Sequence, residues 1–180
     1  MDYIDNKAMF EAFIKHREKV AKARKEGKQD PILPNYIGKC FILIAENLAR
    51  KPSYAGYSYI DEMKDDAIEN CVVAANNFDP AKSSNPFAYF TQITTWAFWR
   101  RIEKEKRSNY VKYKLYQRMD ISGELYAGDK EFRSIGNAID EVANEVVSNF
   151  EEMKLKRDNK AKESKKNKKG VEKLFKDSDE

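Results

Sequence analysis

The chain has 180 residues, of which 41% are hydrophobic and 36% charged, with 34 Lys and Arg against 30 Asp and Glu. That supports one core of moderate size and leaves many residues for charged surface or tail. No run approaches the roughly 18 apolar residues of a membrane span, and the acid-containing start lacks a signal-peptide core, so a soluble, cytoplasmic protein with no membrane partner is expected.

The first predicted helix covers 6 to 26. It carries Met9, Phe10, Phe13, Ile14 and Val20 at helical spacing, with Asp5 or Asn6 as cap and Gly27 as stop. His16, the one histidine, lies among Lys15, Arg17 and Lys19 and is expected on a solvated face. A second helix spans about 35 to 50, with Ile37, Phe41, Ile44, Ala45 and Leu48 on one side and Pro52 ending it. "PSYAGYS" reads as a turn. Ser58 and Asp61 form a capping-box-like start for a third helix, whose Ile60, Met63, Ala67, Cys71, Val72 and Ala75 make the buried stripe while its acids point away. "NFDPAKSSNP" is a loop, and Asn85 with Pro86 supplies the N-cap and first-turn proline of a fourth helix. No strand pattern appears.

Beyond Arg118, "MDISGELYAGDK" reads as a loop, and Phe132, Ile135, Ile139, Val142 and Val146 make a narrow stripe of another helix, so 119–153 forms a loop and amphipathic helix expected to pack on the domain. Residues 154–169 carry nine bases against Asp158 and Glu163 and are expected to be an extended, disordered linker. In 170–180, Val171, Leu174 and Phe175 form an isolated apolar cluster, either incidental or a docking peptide that orders on binding.

Charge is segregated along the chain. Between Asp61 and Asp79 there are six acids and one base, whereas between Phe98 and Arg118 there are eight bases and two acids. Neighbouring segments of opposite sign suit two partners of opposite charge. The fourth helix adds a second contrast. At about 100° per residue, Phe87, Phe90, Thr94, Ala97 and Phe98 form one face, an ordinary core stripe. Tyr89, Gln92, Trp96, Trp99, Arg100 and Glu103 form the other. Periodicity leaves two readings of that second face: packing against the N-terminal helices, or stacking of unpaired bases with cations holding the phosphates. The adjoining bases Arg101, Lys104, Lys106 and Arg107 favour nucleic acid.

Catalytic chemistry has no visible carrier. Cys40 and Cys71 lie far apart without a CxxC, which argues for reduced packing thiols and against a zinc site. No Ser/His/Asp set, phosphate-binding glycine loop or credible carboxylate pair is present, so the expectation is a protein that is not an enzyme and uses no metal or cofactor.

"YIDEMKDDAIENCVVAANNFDPAKSSNPFAYFTQITTWAFWRRIEKEKR" resembles region 2 of bacterial sigma factors: an acid-rich helix ending in an "FDP" turn, a short loop, then a helix with aromatics near its start and bases at its end. "DNKAMFEAFI", "IGKCFILIAENLAR" and "NNFDPAKSSNPFAYFTQ" look closest to the late-transcription sigma factors of T-even-like bacteriophages, and the likeness spans roughly residues 5 to 117. It implies an all-α fold, a compact helical region 2-like domain over 1–118 with a C-terminal helix and a flexible charged tail. It also implies a factor that binds the host RNA polymerase core and recognises and melts a short A/T-rich promoter element. Docking on the clamp helices of the beta-prime subunit would fall to Asp61, Asp65, Asp66 and Ile68, with Val72 farther along and Glu62 and Glu69 on the same acidic face. Melting and recognition would fall to Tyr89, Gln92, Ile93, Trp96, Trp99 and Arg100, with Gln92 and Ile93 standing where primary sigma factors carry a tryptophan pair. Only 62 residues follow Arg118, which matches phage late factors that lack an upstream helix-turn-helix reader. "VEKLF" resembles peptides that insert into DNA sliding clamps, so Val171, Leu174 and Phe175 would bind the phage clamp, with a late coactivator as a further partner. Two other classes stay open: a standalone DNA-binding regulator and a helical protein-interaction module.

Overall fold

A computed structural model describes residues 4–119 and 130–176 of the chain, with side chains over 4–119 and 133–164. Every element among them is an α-helix, as expected. Helix α1 (Asn6–Lys25) starts where the Asp5 carboxylate accepts hydrogen bonds from the N–H groups of Lys7 at 2.8 Å and Ala8 at 3.2 Å, meeting donors that the first turn leaves without partners. It stops at Gly27, whose φ of +67° is open to glycine without strain. Met9, Phe13 and Val20 are buried, while Ile14 faces out. His16 overturns its expected place: it is 3% exposed. Positions 9, 13, 16 and 20 fall on one helical face, so His16 belongs to the inward stripe and only its basic neighbours reach water.

Helix α2 (Asn35–Ala49) buries all five residues expected of it, and Cys40 with them. "PSYA" is a single helical turn, α3 (Pro52–Ala55), rather than an open turn: Pro52 ends the previous segment and also presets φ for the next, and Tyr54 goes into the core. Helix α4 (Ile60–Ala75) has Tyr59 at its N-cap with no side-chain hydrogen bond, one residue past the expected Ser58. Met63, Ala67, Cys71 and Ala75 are buried, but Val72 is exposed, since it stands about 100° from Cys71 around the helix.

The loop after α4 is not merely a connector. Phe78 is 1% exposed, with its ring centroid 5.0 Å from that of Phe13 and 5.3 Å from that of Tyr89. Helix α5 (Pro86–Met119) then begins with Asn85 Oδ1 accepting from the N–H of Ala88 at 3.0 Å, and Asn6 Oδ1 accepting from that of Phe87 at 3.2 Å. Phe90 occupies the centre: its ring stacks on Phe13 at 5.2 Å and meets Phe41 at 4.6 Å. Where α4 meets α5, the buried Thr94 hydroxyl donates to the Phe90 carbonyl at 2.9 Å and lies 3.5 Å from Cys71 Sγ.

The chain divides into two units at Glu103 and Lys104, within α5. The second unit pairs the later half of α5 with α6 (Lys130–Lys176). Tyr110 stacks on Phe150 at 4.5 Å, its hydroxyl donates to Glu151 Oε1 at 3.2 Å, Lys114 Nζ donates to the same oxygen at 2.9 Å, and Gln117 donates to Asn144 at 2.7 Å. Ascending positions on α6 meet descending ones on α5, so the pair is antiparallel. Its inward line runs through Gly136, Ala143 and Val147, one residue off the expected stripe, whose Ile135 and Val142 are exposed. The Phe150 ring on Tyr110 sets the rotation of α6, and Val147 and Ala143 lie one and two turns before it. The side chain of Phe132 and most of "MDISGELYAGDK" lie outside the described residues. The expected extended linker is also corrected: the backbone is helical through 154–169 and on to Lys176. Its Lys, Arg, Ala and Glu are good helix formers, no Gly or Pro intervenes before Gly170, and Glu152 pairs with Lys156 at 2.6 Å in the favoured order.

Candidate nucleic-acid interface

The outer face of α5 opens onto a groove of about 570 Å³ lined by Ile93, Trp96, Trp99, Arg100 and Glu103 from α5, by Asn70, Val73 and Ala74 from α4 and by Asn77 just beyond it. Trp96 is 51% and Trp99 56% exposed, so these rings are not absorbed by the N-terminal helices and the packing reading of this face fails for both. Trp99 is held all the same. Trp99 Nε1 donates to the Tyr54 hydroxyl at 3.2 Å, and Tyr54 in turn packs edge-on against Phe98 at 5.2 Å. The ring therefore meets solvent from an oriented position, which spares part of the entropy that a mobile platform loses on binding.

Polar groups interrupt this apolar surface at chosen points. Arg100 donates from Nη2 to Asn70 Oδ1 at 2.7 Å, bridging α5 to α4 across the groove. Asn77 stands at the α4 end and Glu103 at the other wall, which gives the groove amide and carboxylate acceptors beside two flat rings and a guanidinium. Such a lining can stack planar groups and discriminate their edges by hydrogen bonds. The α4 contribution escaped the sequence reading, which assigned that helix one buried stripe and one acidic face. Its signal is nonetheless present: positions 70, 73, 74 and 77 are spaced i, i+3, i+4, i+7, and Val73 is 67% exposed.

Other expected DNA-contacting residues are placed differently. Tyr89 is half-buried over Phe78 and edge-on to Phe90 at 5.0 Å, so it supports the core more than it offers a free ring. Gln92 is exposed outside the groove lining. Arg101 turns to α4 and pairs with Asp66 at 3.2 Å, with its side chain only 16% exposed. That contact joins one residue expected at DNA to one expected at polymerase and gives both a part in holding α5 to α4. Lys104, Lys106 and Arg107 are exposed in the second unit.

On α4, Asp61, Glu62, Asp65 and Glu69 are exposed, as is Val72. Asp61 is bridged by Lys64 at 2.6 Å. Ile68 is half-buried against the cluster around Met63, Ala67 and Phe98, which accounts for an apolar residue at that position. The acidic surface is thus carried by Asp61, Glu62, Asp65 and Glu69, with Asp66 largely committed to Arg101. The backbone of Val171, Leu174 and Phe175 is helical, and their side chains lie outside the described residues.

The two core thiols are passive. Burial pushes the Cys71 thiol up to about 11, against a smaller opposing hydrogen bond with Thr94, and burial raises Cys40 as well. Both are free cysteines and fit packing roles. Among the described residues no group of acids, cysteines and histidine could hold a metal, and no helix is long and apolar enough to cross a membrane. No protein-family model matches the chain, and no curated protein matches it.

Proposed function

We propose that the chain is a sigma-type specificity subunit of the phage late class: it docks on the host RNA polymerase core through the acidic face of α4 and opens an A/T-rich promoter element at the groove beside α5. The observation that carries this reading is the pair of half-exposed tryptophans, Trp96 and Trp99, lining one open groove with Arg100. Extruding a base costs a few kcal/mol, and stacking it on an aromatic ring returns about 1–3 kcal/mol. A platform that is useful only after bases leave the duplex favours the open state over the closed one. Docking through Asp61, Glu62, Asp65 and Glu69 suits a basic partner surface and speeds encounter, and it lies on residues of α4 other than those that line the groove.

In this reading the sliding clamp is reached through Val171, Leu174 and Phe175, and a late coactivator is compatible with it. A standalone duplex-binding regulator has no use for an open aromatic groove, and a helical module that only contacts proteins has none for the basic later half of α5. The test is permanganate reactivity of promoter thymines with the polymerase assembled on Trp96→Ala or Trp99→Ala. Reactivity is expected to fall while polymerase binding stays near that of the wild-type chain, and pre-melted templates should rescue initiation. Failure of pre-melted templates to rescue would reject the groove as the melting site.

A further inference from the structure

We infer that the outer part of α6, residues 152–164, is a basic arm that lies along the groove of duplex DNA and binds its phosphates without reading sequence. This stands apart from the promoter-opening reading and does not depend on it. Every side chain from 152 to 164 is exposed, past the contacts that Glu151 makes with Tyr110 and Lys114 of α5. An isolated helix of this composition is held mainly by its own pairs. The acids nearest the α5 contacts are already taken: Glu151 accepts from Lys114 and Tyr110, and Glu152 binds Lys156. The Lys114 ammonium holds the Glu151 carboxyl below its usual value, and Lys156 does the same to Glu152. By contrast, Lys154, Lys160 and Lys162 make no ion pair among the described residues, and from 154 to 164 the sequence sets Lys154, Lys156, Arg157, Lys160 and Lys162 against Asp158 and Glu163.

The distribution of the bases decides the partner. A membrane surface or a flat acidic protein face would be met by one basic stripe backed by an apolar one. Here the bases go round the helix: at about 100° per residue, Lys160 and Lys162 stand roughly 160° apart, and Lys154 stands about 120° from the first and about 80° from the second on the opposite side. Leu155 is the sole large aliphatic residue between 154 and 164, so no apolar stripe exists to dock in a protein groove. Cations on both flanks of a cylinder about 10–12 Å wide match the two phosphate walls of a major groove about 12 Å across. The second unit adds to the same field, since Lys104, Lys106, Arg107 and Lys112 on α5 are exposed as well. The antiparallel register, in which Tyr110 meets Glu151 and Gln117 meets Asn144, continues to bring Lys154 level with Arg107. Bases facing across neighbouring helices repel unless a polyanion lies alongside.

The experiment uses the full chain and a fluorescent duplex of mixed sequence with no A/T run, titrated by anisotropy over a range of salt. Lys154→Gln with Lys160→Gln and Lys162→Gln should lower affinity at moderate salt by about tenfold or more and reduce the salt slope by about 0.9 for each lysine that meets a phosphate. The corresponding triple Arg variant should bind as the wild-type chain does. Circular dichroism checks that helicity survives in each. Unchanged affinity and slope in the Gln triple would overturn the proposal. So would equal binding of the wild-type chain to poly-glutamate at matched charge, which would assign the arm to acidic proteins instead.

Discussion

Replacing Phe90 with alanine tests the division of α5 into a core face and an open face. Phe90 has no exposed surface, and its ring centroid lies 4.6 Å from that of Phe41, 5.2 Å from Phe13 and 5.9 Å from Phe78. A buried phenylalanine removes about 150 Å² or more from water, which at about 25 cal/mol/Å² amounts to about 4 kcal/mol. The three neighbouring rings come from α1, α2 and the loop after α4, and separate segments cannot all close on the space left behind. The expected loss is therefore within the range of about 3–5 kcal/mol seen when a cavity remains. Urea unfolding followed by far-ultraviolet circular dichroism reads it. With a slope of about 1–3 kcal/mol per molar, the midpoint should fall by about 2 M. Trp96→Ala, whose ring is already half in water, leaves no enclosed cavity and should cost about 1–2 kcal/mol. A loss below about 1 kcal/mol for Phe90→Ala, or equal losses for the two variants, would refute the assignment of faces.

His16 should make the fold sensitive to mild acid. Burial, then the Lys19 charge, holds its imidazole below 6.5, with Asp30 opposing and Arg17 reinforcing the depression. The unfolded chain therefore takes up the proton first, so stability is full above about pH 6.5 and falls as pH drops through and below it. Urea midpoints of the wild-type chain at about pH 7.5 and 5.5 should differ more than those of His16→Leu, and a wild-type midpoint that rises on acidification contradicts the account. The Asp30 carboxyl, held low by Arg24, titrates below this window and does not mimic the effect. Reversing charge at Asp61 and Asp65 should weaken capture of the polymerase core while helicity stays native, because both are exposed and only Asp61 carries a pairing, with Lys64; unchanged capture would remove the docking face.

Helix identity was legible because the amphipathic period was strong: Ile37, Phe41, Ile44 and Leu48 on α2, and Phe90, Thr94, Ala97 and Phe98 on α5, all go where spacing put them. The split of α5 into a core face and an open aromatic one was legible for the same reason. Residues whose place depends on a partner segment were not. Phe78 belongs to no period, so nothing local showed that it fills the space between Phe13 and Tyr89. His16 was judged by its charged sequence neighbours, although its angle on α1 matched Met9 and Phe13. Arg101 reads as one base among eight until α4 brings Asp66 to within 3.2 Å of it. The groove itself needed two helices to be placed together, and the α4 half was hidden because Asn70, Val73, Ala74 and Asn77 are too mixed in polarity to stand out. At α6 the error was one of period: the aliphatic positions Ile135 and Val142 outweighed Gly136 and Ala143, whereas the stack of Phe150 on Tyr110 decides which face turns inward. The run after 154 was judged by net charge, and helix propensity with the Glu152–Lys156 pair prevailed.

The central claim is that this chain gives a bacterial polymerase core the ability to start at a chosen promoter. Run-off transcription on a linear template bearing one A/T-rich element, with purified core polymerase and the full chain, tests it most directly. The account predicts a single discrete transcript that appears only when both are present and disappears when the element is replaced by G/C pairs. Initiation that is no different with and without the chain, or tight binding of the chain to that duplex with no association to the core, would contradict it.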